Sequence, residues 1–396
     1  MSHWRSSDFL LGLLVALAVW AVWEGYVLNH RPETRGCGGD FPQFYAAGKI
    51  VSQGEADRLY DQPYFRHLQD SLRDDPLRSL YPPTMGLLMA PLGRLPYNAA
   101  LAAWWAIQAI CILATGAIFY RTAPLSRPRR INMLVALAAL LPLWIAVGIG
   151  HVAPLLLLVL AGGLTLHKQG KRCWAGLALS LLALKPQLAA GLLLWMLLRR
   201  DLRTLAGLAA GLIFQALAVA ACLGATVWLD YLHALPVISA ITRGYRYSPL
   251  FEQSFAGMAR NLCWAAGRAQ WQVPAMRMAY ALTAGVAVVL LCRVVWARRP
   301  WDPAVADRRT ENYEYACGAL FMTIFPPYFL VYDQALLAVP LVMLWSSPAW
   351  RWGVALLAAN TVFVANLSFP LGFSLSGLMA LATMFAFPRT VPEVVT

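Results

Sequence analysis

The chain carries little charge for its length. Only 13% of its 396 residues are charged and 60% are hydrophobic, whereas roughly a quarter of an ordinary soluble domain is charged. That deficit excludes a water-soluble globule, because no core of this size hides so much apolar side chain. Acids are scarcer still, 19 against 32 Lys and Arg. In a soluble chain a net charge of +13 would point to nucleic acid. Here the basic residues sit in short gaps between apolar runs, the pattern of membrane topology, so no nucleic-acid partner is implied. There is no Walker loop, no Gly-rich dinucleotide loop, no Gly-x-Ser-x-Gly elbow and no His/Cys metal spacing. Nucleotide-driven pumping and nucleotide-sugar chemistry therefore have no support, and nothing calls for a cofactor or a metal. Of the seven cysteines, Cys111, Cys222 and Cys292 lie in apolar runs as small hydrophobes. Cys37 and Cys263 fall in the two longest polar segments, where a pairing is open.

What is present is a series of apolar runs at 9–28, 98–120, 131–149, 152–167, 173–184, 187–198, 204–223, 277–297, 313–331, 334–346, 352–367 and 370–387. The first is too long for a signal-peptide core and no small-x-small cleavage site follows it, so it reads as an uncleaved helix. The runs 173–184 and 187–198 are split by Lys185-Pro186, and either a hairpin of short helices or one kinked helix fits the spacing. Basic residues decide between them. Arg127, Arg129 and Arg130; Lys168, Lys171 and Arg172; Arg199, Arg200 and Arg203; and Arg298, Arg299, Arg308 and Arg309 mark gaps expected on the cytoplasmic side. For the gaps at 168–172 and 199–203 to share a side, the chain must cross twice between them, which favours the hairpin. The expectation is an all-α polytopic membrane protein, one domain over 1–396, with about a dozen transmembrane helices and both termini cytoplasmic. Two long loops, 29–96 and 224–276, then face outward, and their mixture of aromatic, Pro and charged residues suggests short helices lying against the membrane surface. The gaps at Gly150-His151, Lys185-Pro186-Gln187 and 326–334 fall on that same outer face.

Several residues there invite a chemical role. Asp40 precedes Phe41, Phe44, Tyr45 and Val51 at near-helical spacing. It reads as a helix N-cap with Gln43 completing a capping box, or as a carboxylate base activating a hydroxyl at the membrane surface. Lys185 is either an interfacial anchor or a cation for a lipid-linked phosphate, since a Lys inside an apolar stretch costs about 2.5–3.5 kcal/mol to insert. Arg243, Arg246 and Arg260 run against the positive-inside trend and suit bidentate phosphate binding, although an aromatic-rich interfacial loop also accommodates them. His151 at a helix junction is placed to donate to a phosphate or hydroxyl, or to serve the fold. Tyr81-Pro82-Pro83 reads as a rigid turn.

In order along the chain, these blocks resemble the polyprenol-phosphate-dependent glycosyltransferases of family 87, membrane enzymes of the GT-C fold that include mannosyltransferases. The likeness rests on Asp40 with Phe44-Tyr45-Ala46-Ala47-Gly48, Gly54 and Leu59-Tyr60-Asp61; on Tyr81-Pro82-Pro83 with Ala90-Pro91-Leu92; on Gly150-His151, Gly176 and Leu184-Lys185-Pro186-Gln187; and on Gln253-Ser254 with Asn261. The resemblance implies a GT-C-like fold and inverting transfer of a sugar, mannose or alternatively arabinofuranose, from a polyprenyl-phosphate donor to a lipid or glycan acceptor. It implies Asp40 as the general base. Donor or substrate contacts are expected at Lys185, His151, Gln187, Tyr45, Tyr81, Arg243, Arg246, Gln253 and Asn261. The setting it implies is a bacterial inner membrane with a periplasmic active site. Two departures stand out. The family often has Gln where His151 stands. Near Pro326-Pro327 many members carry a Trp and His pair, where this chain reads Phe329-Leu330-Val331-Tyr332-Asp333-Gln334, so either Tyr332 or Asp333 takes that role or the acceptor differs. The rival readings are a transporter or flippase of lipid-linked intermediates, which would place polar groups through the midplane, and a non-catalytic envelope-assembly scaffold.

Overall fold

A computed structural model describes residues 39–73, 75–123, 125–244, 255–296 and 330–345, with isolated positions 15, 18, 19, 319 and 322. Every element among the described residues is a helix. The apolar runs 9–28, 313–331, 352–367 and 370–387 lie wholly or almost wholly outside the described residues, as do Arg298, Arg299, Arg308 and Arg309.

Among the described residues two helices are long and apolar enough to cross a membrane, α4 (Tyr97–Thr122) and α10 (Leu202–Leu223). In α4 the buried side recurs at helical spacing through Leu101, Trp104, Gln108, Cys111, Thr115 and Phe119. Its other side presents apolar Ile110 and Leu113, 64% and 72% exposed. In α10 the polarity is inverted outright, with Thr204, Gly207, Gly211 and Gln215 inward and Ile213, Phe214 and Leu217 outward. Water would penalise such faces; lipid does not. Small residues inside allow close helix approach, as expected where packing rather than hydrophobicity drives association. A Cβ on Gly176 of α8 (Arg172–Leu179) would strike the Thr204 carbonyl, and one on Gly207 would strike that of Cys173.

The expected run 131–149 is two helices, α5 (Arg127–Ala138) and α6 (Leu141–Gly148), bent by 50°. Counted together they make a third crossing. Pro142 explains the bend. It has no N–H for the Ala138 carbonyl, and the Trp144 indole fills that place at 2.7 Å. Helix α7 (Ala153–Lys168), α8 with its 3₁₀ continuation Ser180–Leu184, and α9 (Pro186–Leu198) are apolar but shorter than a full crossing.

Chain direction around Lys185 follows the hairpin. His167 and Arg172, at one end of α7 and α8, meet Asp201 at 2.5 and 3.9 Å. The basic gaps at 168–172 and 199–203 thus lie together, with Lys185 at the turn between them.

The first long loop departs from its expected surface position. Helix α1 (Phe41–Ser52) is buried along most of its length. It packs on α3 (Pro83–Gly93) backbone to backbone, because Gly48 and Gly93 leave no room for a side chain between them. The small α2 (Gln62–His67) has Phe65 as its buried residue. The second loop contains α11 (Thr226–Gly244) and α12 (Phe255–Ala265), followed by α13 (Gln272–Trp296). A 3₁₀ turn, Val331–Leu337, and α14 (Ala338–Trp345) are buried throughout. Cys263 is a free cysteine among the described residues, and Cys37, its possible partner, lies outside them.

Candidate active site

The corner between α6 and α7 organises the site. Gly150 adopts φ +68, a left-handed turn that glycine makes without strain. Helix α4 grips the corner, with the Trp104 indole donating to the Gly150 carbonyl at 2.7 Å and the Gln108 amide to the His151 carbonyl at 2.8 Å. The start of α1 docks on the same corner. The Asp40 and Phe41 amides both donate to the Ile149 carbonyl, at 2.7 and 3.2 Å. Gly39 (φ +35) is wedged against Ile149, where a Cβ would lie 2.6 Å from the Ile149 Cβ.

Asp40 occupies the N-cap position of α1, yet its side chain makes no capping bond, and the expected capping box with Gln43 is absent. The reason is its backbone. A capping residue is normally extended, which aims its side chain at the first free amides, whereas Asp40 has helical φ −89 and ψ −17. Its Oδ2 is enclosed without a hydrogen-bond partner, while the carboxyl engages the Tyr332 hydroxyl. Burial pushes the carboxyl up from 3.8 to about 6, against the opposing pull of Arg73 and Lys185.

His151 is fully buried. Its Nδ1 accepts from the Ala153 amide at 3.1 Å, which leaves the proton of a neutral ring on Nε2. That nitrogen is 3.2 Å from the Tyr81 hydroxyl, its acceptor, and 3.5 Å from Lys185 Nζ. The Nε2 and the Lys185 ammonium both carry protons, so His151 and Lys185 are in contact rather than bonded. Burial and the neighbouring ammonium hold His151 well below its ordinary pKa. Phe44 stands edge-on to Tyr81 at 5.0 Å, and Tyr332 covers the imidazole at 4.0 Å between centroids.

Lys185 sits at the break before α9, with φ −137 and ψ 76. It donates to both Asp333 oxygens at 2.6 and 2.7 Å. The Asp333 carboxylate is itself fixed by the Leu330 amide at 3.1 Å. Both residues are buried, and their charges cancel where they stand.

The structure therefore brings Asp40, Tyr81, His151, Lys185, Tyr332 and Asp333 into one cluster. Tyr45, also expected here, gives its hydroxyl to the Leu95 carbonyl at 2.8 Å and faces Tyr97. Gln187 is half-buried on the first turn of α9. Arg243 and Asn261 have described helical backbones only, in α11 and α12, and Arg246 and Gln253 lie outside the described residues. Arg260 is buried.

Sequence reasoning missed Arg73, whose Nη1 donates to the Gly39 carbonyl at 2.5 Å. In Leu72-Arg73-Asp74-Asp75 it reads as part of a solvated charge run, and its partner is a backbone oxygen, so nothing local distinguishes it. Also unanticipated is a second polar cluster at the far end of α7. There Asp201 accepts from the Thr204 hydroxyl at 2.7 Å and its amide at 3.3 Å, besides pairing with His167. Burial pushes Asp201 up, but the bonds from His167 and Thr204 outweigh it and bring the carboxyl to about 2. Among the described residues no group of His, Cys, Asp and Glu has metal-site geometry.

The family model for glycosyltransferase family 87 matches residues 80–327. The matched segment takes in Tyr81, His151, Lys185 and Gln187; Asp40, Arg73, Tyr332 and Asp333 lie beyond it and join by packing. No curated protein and no solved structure gives a significant match.

Proposed function

Given that the chain belongs to glycosyltransferase family 87, we propose that it transfers a sugar from a polyprenyl-phosphate donor to a lipid or glycan acceptor, with inversion and with Asp40 as general base. The observation that carries this reading is the state of Asp40. A carboxylate at a helix N-terminus would ordinarily be consumed as a cap, but this one is uncommitted at Oδ2 and enclosed among cations. A pKa near 6 leaves it mostly ionised at neutral pH and basic enough to take a proton.

In this reading Asp40 takes the acceptor hydroxyl proton and the oxygen forms a bond to the anomeric carbon. The carbon–oxygen bond to phosphate breaks, and polyprenyl phosphate leaves with the electron pair. The local charge balance favours that direction. Lys185 and Arg73 offset Asp40 and Asp333, His151 being neutral. Once Asp40 is protonated, one positive charge is uncompensated, at the moment the leaving phosphate gains a negative one. Lys185 is proposed to serve the donor phosphate from its place beside Asp333, with Gln187, Tyr81, Arg243, Arg246, Gln253 and Asn261 as further contacts. Mannose is the sugar first proposed and arabinofuranose the second. The proposed setting is a bacterial inner membrane crossed about twelve times, with the site at the periplasmic face.

The test uses the full chain in lipid nanodiscs with polyprenyl-phosphate mannose or arabinofuranose and octyl α-D-mannopyranoside as acceptor. Wild type forms the inverted glycoside, and Asp40→Asn loses about 10²–10⁴-fold in kcat. Turnover of the variant near wild type removes Asp40 from the chemistry. No transfer from either donor by wild type removes the donor class.

A further inference from the structure

Two atoms at the site have complementary vacant valences. Arg73 Nε is enclosed and has no acceptor; Asp40 Oδ2 is enclosed and has no donor. The groups are neighbours, since Arg73 Nη1 is tied to the carbonyl of Gly39, the residue before Asp40. That tie fixes the guanidinium beside the acid without a direct bond from Nε. The pair lacks one acceptor and one donor, and a hydroxyl is both at once. A phosphate oxygen only accepts, so it would leave Oδ2 unmet and set an anion against a carboxylate.

We propose, building on the transfer reading above, that Arg73 is a catalytic residue whose Nε–H bonds the acceptor oxygen while the acceptor's hydroxyl proton points at Asp40 Oδ2. The acceptor is thereby held at the base rather than at the donor phosphate. When the proton passes to Oδ2, the oxygen keeps its electron pair and uses it to bond the anomeric carbon. The polyprenyl phosphate departs with the electrons of the broken bond. The guanidinium keeps its proton throughout, and its bond to oxygen is strongest while that oxygen carries most negative charge. Arg73 also keeps the acid ionised, and the first of the charged neighbours to do so is this guanidinium.

The experiment compares wild type, Arg73→Lys and Arg73→Met in nanodiscs, varying octyl α-D-mannopyranoside and polyprenyl-phosphate mannose separately between pH 5 and 8. Arg73→Met is expected to lose about 10²–10³-fold in kcat, to raise acceptor KM several-fold with donor KM unchanged, and to move the acid limb of the rate profile up by about one pH unit. Arg73→Lys, which keeps the charge, is expected to keep the limb in place with a smaller loss. Unchanged acceptor KM and acid limb in Arg73→Met, or a rise in donor KM alone, overturns the proposal. A second readout needs no turnover. The thermal stability gained on Asp40→Asn is expected to be larger in the Arg73→Met background than in wild type, because the unaided carboxylate is costlier to bury. Equal gains in both backgrounds overturn the proposal even where no donor is accepted, and that result is distinct from failure of the donor reading.

Discussion

Replacing Asp40 by Asn should make the protein more stable and inactive together. The carboxyl rises from 3.8 to about 6 on folding, so between those values the folded state holds more protons than the unfolded one and stability falls as pH rises. Above pH 6 the full cost of burying the ionised acid is present. A displacement of about two pH units corresponds to about 3 kcal/mol, trimmed to about 2 kcal/mol because the residue is only half-buried. Asn carries no charge to bury and nearly matches Asp in shape. The variant should therefore melt roughly 2–4 °C higher than wild type at pH 7.5, on the scale expected for a chain of this size. The advantage should shrink as pH drops from 6 and vanish below about 4. Intrinsic fluorescence melting in nanodiscs, between pH 4 and 8, reads this directly from the 16 tryptophans. A variant that melts at or below wild type at pH 7.5, or an advantage that grows in acid, refutes the assignment of Asp40 as a buried base whose Oδ2 is uncommitted.

Asp201→Asn should do the reverse. Its carboxyl falls from 3.8 to about 2, so ionisation supports the fold above about pH 4 and that support fades only as pH drops toward 2; the variant should lose about 2 kcal/mol at pH 7 while retaining kcat within a few-fold. Removing one partner of the Lys185–Asp333 pair leaves a buried charge alone, so Lys185→Met and Asp333→Leu should each cost about 3–5 kcal/mol. The double variant should recover most of that in melting experiments without recovering transfer. In wild type, kcat/KM should fall tenfold per pH unit below about 6, as protonation removes the base, measured with acceptor well below KM.

The membrane class was plain in the sequence because burial leaves a compositional mark: too few charges, gathered into gaps. The meeting of Asp40, His151 and Lys185 could be anticipated from the side each gap should occupy. Their contacts could not. Lys185 and Asp333 are 148 residues apart, and neither shows a partner locally. The capping box at Asp40 and Gln43 had the right residue types at the right spacing, but docking on Ile149 holds Asp40 in a helical conformation and turns its side chain away from the cap. Helix α1 looked interfacial because it mixes aromatic and polar residues. What buries it is the fit of Gly48 against α3, a match between two segments that neither displays alone.

At Gly39 the placement of the acid depends on an atom that is not there. The backbone before Asp40 rests directly on Ile149, so even one added methyl must displace the acid from the imidazole corner. Misplacing reacting groups by about 1 Å can cost 10²-fold in rate. Gly39→Ala should then silence the enzyme with every reactive side chain intact, and crystallographic or cryo-EM comparison should find Asp40 shifted as a block with the start of α1. Reach, in this protein, is governed by a hydrogen in place of a carbon.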